Sequence, residues 1–349
     1  MPRDKNLPRA KGFRPLAYVI FVVVTLATLL VSVAVGSVGV SLPDAMRAIM
    51  GTLSGADMSQ DSATAIIVNT RLPRVLCAGL VGAALAISGC AMQGLLKNPL
   101  ADGSTLGVSA GASLGAVIAI VTGFTIPLLP LAGTTVMAAL FAFLSLLTIL
   151  ALAYRLDRSL STDTIILIGI ILAMSISALM SVFIVFAGEQ ASRIVFWTLG
   201  SLSGSTYQYV MMLAAVLLIF GGIIFSLRRE LNAFAVGEDN ARHIGVNVKR
   251  VKLLILVCVS ALIGACVSVG GVIAFVGLVT PHMVRMITGP NHSRLIPASL
   301  FGGATFLMLS DLVARTILSP RELPIGVVTS LVGAVLFIRI FFMVRRAGR

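Results

Sequence analysis

The segment RRELNAFAVGEDNARHIGVNVKRVK (Arg228–Lys252) is a strongly polar stretch between two long apolar segments, and the rest of the chain can be ordered around it. Glu238 and Asp239 stand where a short helix would begin. Arg242 and His243 follow one turn later, so the side chains form i,i+4 pairs whose signs suit the helix dipole. The pattern therefore predicts a short, charged helix.

The residues that follow give this helix an end. Gly245 is a natural C-terminal stop, and Asn247 can cap the next helix. Such a helix between two membrane spans is either presented to a partner in the cytosol or is a solvated connector with basic flanks. Both interpretations stay open on the pattern alone.

The composition is typical of a polytopic membrane protein. Of the 349 residues, 58% are hydrophobic and 11% are charged, and the mean hydropathy is +1.06. Soluble domains carry about twice that share of charge. The net charge is +13, but the basic residues form no soluble basic domain, so we expect no nucleic-acid partner. The four cysteines lie in apolar runs and never as CxxC, which favours helix packing over a metal or disulfide role.

The apolar runs predict an all-α bundle of ten membrane spans in one integral membrane domain, residues 1–349. The spans are residues 16–36, 72–96, 105–123, 130–154, 164–187, 206–227, 253–269, 272–287, 295–317 and 324–344. Residues 253–281 contain no charged residue, yet both flanks are basic, so the chain should return to its starting side. Two short legs with a turn near Gly270 and Gly271 satisfy this requirement.

The basic residues set the orientation. With the N-terminal tail (1–15) inside, all but six of the 26 lysines and arginines fall on the cytosolic side. The six external ones are Arg47, Arg71, Arg74, Arg193, Arg315 and Arg321. Both termini and the loop 228–252 are therefore predicted to be cytosolic. The external segment 37–71 includes a second apolar run at 63–68, for which we expect surface helices on the outer face.

Several spans carry small residues at a four-residue spacing, as in Gly82, Ala86 and Cys90 of the second span. Such ridges let helix backbones approach closely and predict a compact bundle. A substrate path lined by glycine is the alternative for some of these positions.

Few ionisable residues lie inside the spans, and none forms a recognisable catalytic or metal-binding set. Asp311 and Arg315 make an i,i+4 pair that an interfacial ion pair would explain. The chain has no HExxH, no GxSxG and no Gly-Lys dipeptide, so it contains no P-loop. If nucleotide hydrolysis drives transport, the ATPase is another polypeptide. An ion-coupled carrier would need a buried acid or broken-helix ion site, which is not evident.

Several longer strings then carry a resemblance that covers nearly the whole chain. They are RLPR (71–74), GLVGAALAISGCAMQGLLKNPLADGSTLGVSAGASLGA (79–116), FWTLGSLSG (196–204), VGEDNARHIGV (236–246), GGVIAFVGLVTPHMVR (270–285) and ELPIGVVTSLVGAVLFI (322–338). Together they resemble the permease family of ABC importers for iron–siderophore, haem and cobalamin uptake.

The resemblance implies a subunit of the bacterial cytoplasmic membrane with ten helices. It pairs with a second permease subunit, as a homodimer or with a paralogue, and the path lies at the subunit interface. Two cytosolic ATPase subunits, which bind ATP and Mg, dock below, and an extracytoplasmic substrate-binding protein docks above. The chain itself then binds no cofactor and catalyses no reaction. We expect an iron(III)–siderophore complex as cargo, with haem or cobalamin as the alternative. An ion-coupled secondary carrier and a non-transporting receptor or scaffold are rival interpretations.

The resemblance also assigns residues. The coupling helix that sits in the ATPase cleft matches Gly237, Glu238, Asp239, Asn240, Ala241, Arg242, His243, Ile244 and Gly245. Family positions that meet acidic residues of the binding protein match Arg71, Arg74 and Arg315, with Arg321 added by adjacency. For Arg71 and Arg74 the alternative is anchoring of the second span.

The resemblance also implies two cytosolic gates and a translocation path. The gate between helices two and three matches Asn98, Pro99 and Leu100. The gate before helix five matches Thr162 and Asp163, although a serine takes the place of Asp163 in a member of that family. Helices five and ten should line the path, with the candidates Met174, Ser177, Ser181, Thr329 and Ser330.

Overall fold

The computed structural model describes residues 16–36, 43, 47, 62–126, 132–158 and 161–347. Within these ranges the regular elements are all helices, which confirms the all-α expectation. In chain order they are α1 (Leu16–Ala34), α2 (Leu72–Leu96), α3 (Val108–Thr122), α4 (Ala132–Leu156), α5 (Thr162–Phe186), α6 (Ala191–Thr198), α7 (Tyr207–Ser226), α8 (Arg228–Val236), α9 (Glu238–His243), α10 (Val248–Gly270), α11 (Val276–Thr288), α12 (His292–Thr316) and α13 (Ile325–Ala347).

Seven helical stretches in the described part of the chain are long and apolar enough to cross a membrane. They contain α1, α2, α4, α5, α7, α10 and α12, while α3 and part of α13 form shorter apolar helices. The turn predicted near Gly270 and Gly271 is confirmed, but only the second of the two legs is short: the first helix has 23 residues and the second has 13. Helix α10 ends at Gly270, Gly271 turns the chain with φ of +68°, and α11 begins at Val276.

Helix α2 forms the centre of the bundle. It packs against α10, α11 and α12, and 83% of the residues in its most apolar stretch are buried. A Cβ atom on Gly82 would overlap the carbonyl oxygen of Gly303 on α12, and one on Gly89 would overlap that of Gly277 on α11. At these positions the small residues therefore serve close backbone packing.

The residues that precede α2 do not form the surface helix that the sequence predicts for them. The apolar run 63–68 belongs to Ser62–Ile66 and the π-helical Ile67–Arg71, which continue without a break into α2. Pro73, at the start of α2, has no N–H to donate, and the wider turn before it keeps the helix continuous. The run is thus the outer end of the second span and not a separate surface helix. Apart from Pro43 and Arg47, the expected surface helices of 37–61 lie outside the described residues.

Candidate functional site

The polar segment folds as two short helices, α8 and α9. Leu231 and Phe234 of α8 are fully buried and anchor it to the bundle. In contrast, Ala241 is the one buried residue of α9. Gly237 joins the two helices with φ of +147°, a conformation that residues with a side chain rarely adopt.

The predicted end signals around α9 are confirmed. Gly245 follows the helix with φ of +88°. Asn247 Oδ1 accepts a hydrogen bond from the backbone N–H of Arg250 at 3.1 Å and so caps α10.

The predicted i,i+4 pair between Glu238 and Arg242 is replaced by other partners. Glu238 Oε1 lies 2.7 Å from Lys252 Nζ on α10 and accepts a hydrogen bond from Thr162 Oγ1 on α5 at 3.2 Å. Arg242 instead lies 3.5 Å from Asp239, and both of these side chains are largely exposed. Glu238 turns inward because the ammonium of Lys252, only 2% exposed, needs a counter-charge more than an exposed arginine does.

The electrostatics of Glu238 follow from these contacts. Partial burial on its own would raise the pKa of the Glu238 carboxyl. The ammonium of Lys252 and the hydroxyl of Thr162 outweigh that effect, with a further contribution from the charge of Arg242, and hold the pKa below its ordinary value. The carboxylate is therefore ionised at neutral pH.

Both predicted gate segments lie beside the start of α9. At the first gate, Asn98 Oδ1 accepts a hydrogen bond from the N–H of Leu100 at 2.9 Å, and residues 98–100 are exposed. Lys97 precedes them with φ of +49°, and a Cβ on Gly237 would lie 3.7 Å from its Nζ. At the second gate, Thr162 contacts Glu238, whereas Asp163 is exposed.

Sequence reasoning treated Lys252 only as a basic flank of α10. Its neighbours Val248, Val251, Ile255 and Leu256 are all buried, so Lys252 lies on the buried stripe of an amphipathic helix. A lysine at an apolar position of that stripe is a signal for a buried partner.

The end of the bundle that the sequence predicts to face outward holds a cluster of five charged side chains, Arg71, Arg74, Asp311, Arg315 and Glu322, here called the outer charge cluster. Arg74 and Arg315 each lie 3.0 Å from a carboxylate oxygen of Asp311, and Arg74 lies 2.8 Å from Glu322. Arg71 donates to the carbonyl oxygen of Ala34 at 2.7 Å, and Arg315 to that of Ser32 at 2.8 Å. The cluster ties α1, α2 and α12 to the loop before α13.

This geometry corrects the picture of accessible docking arginines. Arg71, Arg74 and Arg315 are only 5%, 7% and 3% exposed, and their guanidinium groups bond to groups of this chain. A buried guanidinium needs such partners because its desolvation is costly. The arrangement favours the alternative of anchoring α2. Arg321 is exposed, and a contact with a binding protein stays a prediction for it.

A pocket of about 510 Å³ opens beside the outer charge cluster. Glu322 belongs to its wall, together with the aromatic residues Trp197 and Tyr209 and the exposed Arg193. The lining of this pocket is thus a mixture of charged, polar and aromatic residues.

The proposed path residues divide between the two helices. On α5, Met174 is 69% exposed and Ser177 and Ser181 are also exposed. On α13, Ser330 is half-buried, but Thr329 is fully buried and donates to the carbonyl oxygen of Gly326 at 3.2 Å. Thr329 therefore points into the protein and lines no path in this arrangement, because α13 packs this face against its neighbours.

These features define the class. A polytopic helical bundle with a short charged helix that contacts one candidate gate is consistent with the membrane subunit of a transporter. Residues 24–345 match the FecCD transport family, and the chain belongs to that family.

Individual relatives agree with this assignment. The chain is 40% identical to the uncharacterised ABC transporter permease protein YvrB of Bacillus subtilis, over 98% of this chain and 97% of that one. It is 38% identical to the hemin transport permease HmuU of Yersinia pestis, over 90% and 92%. A solved structure described as an inward-facing metal-chelate type ABC transporter superimposes with a TM-score of 0.82 at 30% identity, covering 95% of this chain and 100% of that one. Other relatives are named for cobalamin, molybdate and iron chelatin.

Proposed function

We propose that this ABC importer permease carries an iron(III)–siderophore complex across the bacterial cytoplasmic membrane, with both termini in the cytosol. It works with a second permease subunit, two ATPase subunits that bind ATP and Mg, and an extracytoplasmic substrate-binding protein. Membership of the FecCD family supports the transport role. The observation that carries the mechanism is the contact of α9 with the second gate segment, where Thr162 donates a hydrogen bond to Glu238.

In the proposed cycle, the binding protein delivers the complex to the outer mouth of the paired bundles. ATP binding and hydrolysis in the partner shift α9, and the gates at 98–100 and 162–163 open or close in response. The mostly apolar, exposed face of α5, with Met174, Ser177 and Ser181, faces the path at the subunit interface. The chain itself makes and breaks no covalent bond.

The cargo is the finer part of the proposal. Relatives named for hemin, cobalamin, molybdate and iron chelatin share the fold, so the path tolerates cargoes of different size and charge. Haem or cobalamin is the alternative cargo. The binding protein is then the subunit that selects it.

The test is uptake in proteoliposomes that contain the permease, its ATPase and its binding protein. We expect ATP-dependent accumulation of a radiolabelled iron(III)–siderophore complex that unlabelled haem and cobalamin do not suppress. Suppression by either one would reassign the cargo. Uptake by the permease alone, driven by a proton or sodium gradient, would contradict the importer mechanism and favour a secondary carrier.

A further inference from the structure

The coupling helix α9 is held to the membrane bundle at very few points. It has six residues, and Ala241 is the one that is buried. Its own charge pair, Asp239 with Arg242, is exposed and joins two residues of the same helix. Besides its packing against the neighbouring α8 and α10, α9 reaches the span α5 through the residue at its start.

Glu238 is the residue at that start with contacts to two different spans. Its Oε1 atom lies 2.7 Å from Lys252 Nζ on α10 and 3.2 Å from Thr162 Oγ1 at the first position of α5. One carboxylate oxygen thus joins α9 to the next helix, α10, and to α5, whose Thr162 is 76 residues away. Hydrogen bonds need separations of about 2.7–3.2 Å, so a displacement of α9 that these side chains do not follow breaks the contacts.

Burial decides which of the two contacts is harder to break. The Lys252 side chain is 2% exposed and Glu238 is 26% exposed. Separating an enclosed ammonium from its carboxylate costs far more than separating an exposed pair. Lys252 therefore keeps Glu238 in place against α10, and Thr162 is the contact that passes the position of Glu238 to α5.

Helix α5 is suited to receive such a displacement. Its buried residues are Ile165, Ile168, Gly169 and Ile176, so three of the four lie within two turns of Thr162. The outer half of the helix is exposed along most of its surface. A shift at Thr162 is thus applied at the end where α5 is held by the bundle.

We propose that Lys252, Glu238 and Thr162 form the mechanical link between the coupling helix and the gate helix α5, with Lys252 as a positioning residue. The inference rests on the proposed function and adds the residues that transmit the movement. The link holds the start of α5 to α9, so that the second gate follows the coupling helix. Without it, ATP hydrolysis continues but moves less cargo.

The experiment compares variants in the complete importer, measuring cargo transported per ATP hydrolysed. Thr162→Val removes the hydroxyl and keeps the shape, and we expect the ratio to fall about fivefold, the effect of one hydrogen bond. Lys252→Met should lower it further, and Lys252→Arg should restore most of it. The matched controls are Lys249→Met and Thr148→Val. Lys249 lies over the Tyr154 ring at 4.7 Å, and Thr148 donates to the carbonyl of Leu144 on its own helix.

A second readout does not depend on transport. Spin labels at Asn240 on α9 and Leu167 on α5, both exposed, report the distance between the two helices. We expect one narrow distance distribution in the parent protein, with and without ATP, and a broad one in Thr162→Val. The native cysteines are buried, which limits background labelling.

The outcomes separate the two proposals. Unchanged coupling ratios together with an unchanged distance distribution in Thr162→Val would overturn the link. Absence of ATP-driven uptake in the parent importer would overturn the proposed function, while the distance measurement would still decide on the link. If Lys252→Met fails to assemble, Thr162→Val alone decides.

Discussion

At the residue scale, burial determines the partners of the charged side chains more than proximity in the sequence does. Glu238 has an oppositely charged residue one turn away, yet it pairs with an enclosed lysine on another helix. Asp311 has Arg315 one turn away and also holds Arg74 from α2, and it is fully buried. An ionised group in an apolar surrounding takes the partner that is also hidden from water, because an exposed partner is already solvated.

The outer charge cluster gives the first prediction. Asp311→Asn removes the carboxylate that neutralises Arg74 and Arg315, and breaking a buried ion pair in this way costs about 3–5 kcal/mol. We expect a clear loss of thermal stability of the purified permease in detergent. Arg321→Gln changes an exposed side chain at the same end and should leave the melting temperature unchanged. Equal melting temperatures for all three proteins would show that the cluster contributes nothing to stability.

The second prediction concerns pH. Because the pKa of Glu238 is lowered by Lys252, Thr162 and Arg242, its contribution to stability is fully present above the ordinary carboxyl pKa. It is lost as the pH falls through the lowered value. The protection of the α9 amides, expressed relative to the intrinsic exchange rate at each pH, should therefore stay high from neutral to mildly acidic pH and fall only below that range. In Glu238→Gln the protection of these amides should already be low at neutral pH. The same pH dependence in both proteins would show that the Glu238 carboxylate does not stabilise α9.

At the element scale, helix α2 and its partners are organised by glycines that allow backbone contact. Gly82 faces Gly303 and Gly89 faces Gly277, so α2 lies directly against the backbones of α12 and α11. The four-residue spacing of small residues predicts a ridge on α2, and it leaves open which helix the ridge meets. Helices that lie this close transmit strain to one another, because a close-packed interface has low compressibility.

The third prediction tests this packing. In Gly82→Val the new side chain would overlap the carbonyl oxygen of Gly303, so the helices must separate. We expect little folded protein in the membrane fraction. Gly222 on α7 has nothing within 4 Å of an added Cβ, so Gly222→Ala should be neutral or add up to about 1 kcal/mol through helix propensity. Normal folding of Gly82→Val would mean that α2 and α12 are not in backbone contact.

At the scale of the whole molecule, burial is uneven. In the most apolar stretches of α2 and α10, 83% and 67% of the residues are buried. In those of α1, α5 and α7 the buried share is 17–22%. Exposed apolar helices face either the bilayer or a second subunit. In the proposed importer, α5 faces the subunit interface and α1 faces lipid.

The fourth prediction separates these two surroundings. A single cysteine at Ser177 on α5 should cross-link two copies of the permease in native membranes if the assembly is a homodimer. A cysteine at Val23 on α1, which is 56% exposed, should not. Both yields are read on a non-reducing gel, with the buried native cysteines as an unreactive background. Cross-linking through Val23 and not Ser177 would place α1 at the interface.

The helical bundle, the position of most spans, the turn at Gly271, the short helix α9 and the cap of α10 can be predicted from the sequence alone. These features depend on local patterns: runs of apolar residues, glycines at turns and Asn247 at a helix start. The pair Asp311–Arg315 is also local, but the pairings of Arg74 with Asp311 and Glu322 and of Glu238 with Lys252 depend on the tertiary structure. Arg74 and Asp311 are 237 residues apart, and Thr162 and Glu238 are 76 apart. No local pattern encodes such a pairing, because it forms only when packing brings two enclosed charges or polar groups to the same place.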